Sequence, residues 1–125
     1  MFDWNDFLIL AKELAQRNDE ASLRTAISRT YYAVYWKARM QLEKDGFSVR
    51  FGVGKGSHEQ VWDEYNNRQG KENKAIFKYG DELKKNRHRV DYKPKFIASR
   101  NLVDDSLRLA NNVLINLSQV QPNTN

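Results

Sequence analysis

The chain has 125 residues, 40% hydrophobic and 12% aromatic, enough for one hydrophobic core and short for two ordinary domains. Without a single cysteine it has no disulfide, thiolate zinc site or cysteine nucleophile. Charged residues make up 30% and no apolar run nears the ~20 residues of a membrane span. The N-terminus, Met1-Phe2-Asp3-Trp4-Asn5-Asp6, lacks the order of a signal peptide, so a soluble, cytoplasmic protein is expected.

Helical periodicity dominates the pattern. Asp3 is placed to cap a first helix with Trp4, Phe7, Leu8, Ala11, Leu14 and Ala15 on its apolar face. Asn18-Asp19 interrupts the chain. A long second helix follows, with Leu23, Ala26, Ile27, Tyr31, Val34, Ala38 and Leu42 inward and Gly46 as its stop. Residues 45–56 hold four glycines and an alternation of Phe47, Val49, Phe51 and Val53, too little for a stable sheet, and are read as a loop. Ser57 and Gln60 have the spacing of a capping box for a short third helix through Val61, Trp62 and Tyr65. Residues 66–73, containing Gly70, read as a polar linker. A fourth helix from about Lys74 carries Ile76, Tyr79, Leu83 and Arg87 on one stripe. Pro94 predicts an extended Asp91-Tyr92-Lys93, and a last helix from about Phe96 has the seam Val103, Leu107, Ala110, Leu114, Leu117. Together these give an all-α bundle of four to five helices, a single domain over residues 1–118 with a frayed tail at 119–125.

The net charge of +5 is local. Lys84, Lys85, Arg87, Arg89, Lys93 and Lys95, against the single acid Asp91, account for all of it, and the rest of the chain balances. A cationic stretch with Tyr92 and His88 inside it suits phosphates and a stacked base, and equally a solvated helix end. Arg87 is the informative member, because its register points it inward, where a cation needs a partner: Asp91, a phosphate or a second protomer.

On the second helix Ser28, Tyr32, Tyr35 and Arg39 share a stripe that Arg24 extends, flanked by Arg29, Tyr31 and Trp36. Such a stripe lines a cleft or dimer interface, or bridges the core to its wet edge. His58 is expected at the surface or in loop packing, with phosphate capture at the helix N-terminus as its functional alternative. Gly52-Val53-Gly54-Lys55-Gly56-Ser57 lacks the spacing of a phosphate loop.

Ser28-Arg29-Thr30-Tyr31-Tyr32-Ala33 with Ala38-Arg39 resembles the Ser-x-x-Tyr-Tyr-Ala helix of HEPN domains, the higher eukaryote and prokaryote nucleotide-binding domains. Gly56-Ser57-His58-Glu59-Gln60-Val61 and the Arg-x-x-x-Asp-Tyr run Arg87 to Tyr92 are similar to signatures of a small prokaryotic HEPN subfamily, in the same order. The resemblance spans roughly residues 5–118. It implies an up-and-down helical bundle, usually a homodimer, with the region after the fourth helix in an interfacial cleft.

Many HEPN relatives are metal-independent ribonucleases of toxin–antitoxin and defence modules, built on an Arg-x4–6-His motif. Here Arg87 stands at the arginine's place and Asp91-Tyr92 where the histidine belongs. The resemblance therefore implies an RNA- or nucleotide-phosphate-binding protein without the ribonuclease motif. Arg87 would grip phosphate, Lys84, Lys85, Arg89, Lys93 and Lys95 supply the field, and Tyr92 stack. Two alternatives stay open: a ribonuclease using Arg87 with His88, Tyr92 or a His58 from across a dimer, and a non-catalytic partner of a nucleotidyltransferase. No metal or cofactor is expected.

Overall fold

A computed structural model describes residues 1–120 as five helices: α1 (Asn5–Ala15), α2 (Glu20–Lys44), α3 (Ser57–Asn67), α4 (Lys71–Tyr92) and α5 (Arg100–Gln119). There is no strand among the described residues, and no helix there is long and apolar enough to cross a membrane. The all-α expectation is therefore met.

Local chemistry sets most of the boundaries. The Asp3 carboxylate accepts from the Asn5 N–H, and Asp19 caps α2 by accepting from Ser22, each meeting a donor that a helix start leaves free. Asn18, with φ of 61°, turns the chain between α1 and α2. Gly46, with φ of 95°, ends α2 as expected, since its left-handed backbone carries no side-chain penalty.

Four boundaries differ from the sequence reading. Ser57 does not cap α3: it is the first helical residue behind Gly56, and Gln60 is engaged elsewhere. Its side chain accepts from the Arg50 N–H and donates to the carbonyls of Arg50 and Lys55, pinning the 45–56 loop. The polar linker shrinks to three residues, 68–70, and α4 opens at Lys71 after Gly70. Arg68 closes that connection by pairing with Glu64 and Asp45, at 2.9 and 2.7 Å. At the far end, α4 runs through Asp91 and Tyr92, where an extended chain was expected. Pro94 restricts only the residue before it, and only Lys93 is extended. Finally, α5 begins at Arg100 behind a Ser99 cap and reaches Gln119; the remainder of the expected tail, 121–125, lies outside the described residues.

Helix α2 is the hub and touches all four others. Small residues let it approach α1 closely: Ala11, Ala15 and Ala26 are buried with Leu23, Ile27, Val90, Ala98 and Val103. The larger core lies toward its C-terminal half, where Tyr31, Val34, Tyr35, Ala38 and Leu42 meet Val61, Trp62, Tyr65, Ile76, Leu83, Ala110, Val113 and Leu117. On α5, Val103, Ala110 and Leu117 are buried as expected. Leu107 and Leu114 are only half-buried, and Ser106 and Val113 complete the inner face. In the loop, Phe47 and Val49 pack on this core while Phe51 is exposed, so the alternation marks an in-and-out loop segment.

Where α3 crosses α4, the indole of Trp62 lies directly on Gly80; a Cβ at that glycine would sit 2.4 Å from the ring. This contact fixes α3 against α4, and with it the residues that α3 brings to the site.

Candidate anion site between α2, α3 and α4

Arg87 lies on the inner face of α4, as its register predicts, and is 8% exposed. Its guanidinium sits 5.1 Å from the Tyr31 ring, 5.5 Å from Tyr32 and 5.8 Å from Tyr92. Aromatic faces stabilise a desolvated cation, but they do not satisfy its N–H groups. Among the described residues the buried Arg87 Nε has no hydrogen-bond partner, and the one carboxylate paired with Arg87, Asp91, is 3.8 Å from Nη1.

Asp91 is itself held loosely. The Ser28 hydroxyl donates to its Oδ2 at 3.2 Å, and Arg29 donates to the Ser28 oxygen at 3.4 Å. The Arg29 guanidinium lies between the Phe7 and Tyr32 rings, 5.0 Å from each. Ser28, Arg29, Tyr32, Arg87, Asp91 and Tyr92 thus come together on the facing sides of α2 and α4.

Other predicted residues fall around this centre. Tyr35 is buried, and Arg39 donates to its hydroxyl at 3.3 Å while lying 4.9 Å from the Trp36 ring. Arg24 is committed structurally. It pairs with Glu20 and donates to the carbonyls of Val90, Lys93 and Phe96, which ties down the turn after α4. Lys84, Lys85, His88 and Arg89 border a shallow groove of about 490 Å³ along α4 whose lining reaches Arg87. His88 and Tyr92 pair one turn apart on the exposed face, ring centroids 5.0 Å apart. Lys93 and Lys95 are exposed on the connection to α5.

His58 is the residue the sequence reading placed wrongly. It is half-buried, stacked on Tyr35 at 3.9 Å and edge-on to Tyr32. Its Nδ1 lies 2.6 Å from the Tyr31 hydroxyl, and Trp62 Nε1 donates to the same hydroxyl at 3.1 Å. The Tyr31 hydroxyl thus joins the indole and the imidazole, and the imidazole tautomer sets the direction of its bond to His58. Burial, followed by Arg87, Lys84 and Arg39, pushes the His58 pKa down to about 4. Burial likewise pushes the Tyr31 hydroxyl well above the ordinary phenol range.

The sign of the consequence follows from linkage. Between pH 6.5 and about 4 the unfolded chain takes up a proton at His58 that the folded chain refuses, so stability falls as the solution is acidified through that window. Allowing for part-exposure of the ring, wild type should lose about 1–2 kcal/mol more than His58→Gln between neutral and mildly acid solution. Urea midpoints of both proteins at each pH check this; equal acid losses would contradict it.

Among the described residues no group of three or more His, Asp or Glu side chains is placed to hold a metal. Comparison with protein families, with curated proteins and with solved structures gives no match to this chain.

Proposed function

We propose that this protein binds the phosphate of RNA or of a nucleotide in a HEPN-like helical bundle, with Arg87 as the group that grips the anion. The observation that carries this reading is a buried guanidinium that, among the described residues, has one N–H unmet and its only ion pair stretched to 3.8 Å. A buried cation so poorly neutralised is stabilised by an incoming anion. The cationic groove along α4 supplies the attracting field, and the exposed His88–Tyr92 pair offers a face for a base. The resemblance to HEPN domains adds a setting: a homodimer in a prokaryotic toxin–antitoxin or defence module, with a nucleotidyltransferase as a candidate partner.

His58 bears on the choice between binding and cleavage. It shares Tyr31 with Arg87, meeting the hydroxyl while the guanidinium lies over the ring. Its Nδ1 is already engaged with the Tyr31 hydroxyl, which leaves Nε2 as the ring nitrogen free to meet a ligand. Burial keeps the ring neutral near neutral pH, so Arg87 is the cation that meets the phosphate, and the cleavage gel below decides whether His58 acts on it.

The test is fluorescence anisotropy of a labelled single-stranded RNA in EDTA at two salt concentrations, with a cleavage gel from the same tubes. Binding that weakens steeply with salt and leaves the RNA intact supports the proposal. Cleavage that disappears in His58→Ala would replace it with a metal-independent ribonuclease. Absence of both would contradict the nucleic-acid reading and direct attention to a protein partner.

A further inference from the structure

Asp91 stands in an unusual place. It is the single acid in the cationic stretch from Lys84 to Lys95, and it sits in the last turn of α4, where the helix dipole disfavours an anion. Its contacts there are a 3.2 Å hydroxyl bond, longer than such bonds usually run, and a 3.8 Å ion pair beyond hydrogen-bond range. Its side chain is 28% exposed, against 10% for Arg87. A rotation of Asp91 toward solvent uncovers the Arg87 Nη1 and the Ser28 hydroxyl together.

We propose that Asp91 is an internal counter-anion occupying the phosphate position, and that the ligand which displaces it is a terminal phosphomonoester, on a nucleotide or on an RNA end. This rests on the phosphate-binding reading of Arg87. The charge comparison sets the class. A phosphodiester brings one negative charge and only replaces the one that Asp91 already supplies. A phosphomonoester brings close to two, with three acceptor oxygens for Arg87 Nη1, Ser28 and the Arg29 fork. Asp91 therefore sets a threshold that an internal diester barely meets and a terminal phosphate exceeds. The gate involves no covalent chemistry.

The experiment measures anisotropy of single-stranded RNA labelled at its 3′ end, carrying either a 5′-phosphate or a 5′-hydroxyl, with AMP as an unlabelled competitor. Wild type should bind the 5′-phosphorylated strand about tenfold more tightly. AMP should displace that strand if a nucleotide suffices, and fail to do so if an RNA end is required. Asp91→Asn keeps the side-chain shape and should tighten binding of both strands about fivefold, as the displaced charge is gone. Glu82→Gln, an equal charge change on the exposed side of the same helix, should change binding less than about twofold. The Asp91→Asn gain should vanish in an Arg87→Ala background, because the two residues act through one contact.

Equal affinity of wild type for both strands, or an Asp91→Asn gain no larger than that of Glu82→Gln, would overturn the gate while leaving phosphate binding by Arg87 intact. No binding of either strand or of AMP by wild type and Asp91→Asn alike would overturn both. The comparison of strand ends needs only wild type, so it holds even if a variant fails to fold.

Discussion

Gly80→Ala should destabilise the protein by about 2–4 kcal/mol, against the ordinary gain of up to about 1 kcal/mol for replacing a glycine inside a helix. The sign reverses because the new methyl would fall 2.4, 2.5 and 2.7 Å from three carbons of the Trp62 ring, which is rigid and fully buried. Relief requires α3 to move away from α4. Trp62 donates to Tyr31, and Tyr31 is hydrogen-bonded to His58, so the same displacement loosens the site. Two readouts follow: a lower urea midpoint, and a His58 pKa moving back from about 4 toward its ordinary 6.5, seen in ring-proton NMR titration. A Gly80→Ala protein as stable as wild type would show that α3 does not pack on α4 as described.

Much of the helical frame can be read from residue spacing, because burial of one face imposes a 3.6-residue period on any helix. The inward set of α2 follows from that rule, and so does the inward register of Arg87, four residues beyond Leu83. The stop of α2 at Gly46 follows from the left-handed turn a glycine allows. The errors have separate physical origins. Proline's restriction acts on one preceding residue, and extending it back to Asp91 missed the last turn of α4, the turn that brings Asp91 beneath Arg87. The Ser57–Gln60 spacing suits a capping box, but the loop backbone competes for the Gln60 amide and wins with three bonds. Gly80 and His58 were not legible for a shared reason. Their surroundings are made by other helices, Trp62 of α3 over Gly80 and Tyr31 and Tyr35 of α2 around His58. No local period records such a crossing. One signal was available: His58 and Trp62 are one turn apart on a single helix face, so burial of the indole draws the imidazole inward.

The central claim is that Arg87 grips the anion, and it separates two cations on one helix. Lys85 is exposed and paired with Asp81 at 3.1 Å, so its share of binding is that of one screened surface charge. Arg87 is buried under three rings with an unmet N–H, and its attraction for a ligand acts at lower dielectric. Removing it should cost about 2–3 kcal/mol of binding, or roughly 30- to 150-fold. Removing Lys85 should cost about twofold to threefold. Arg87→Ala also removes packing beneath three rings, so a urea midpoint taken for each protein keeps the binding loss interpretable. The most direct measurement is therefore anisotropy of 5′-phosphorylated single-stranded RNA with wild type, Arg87→Ala and Lys85→Ala at one salt concentration. A loss at Arg87 at least about tenfold greater than at Lys85 is the predicted result. Equal losses at the two positions would contradict the account, leaving a diffuse cationic helix with no anion site at its inner face.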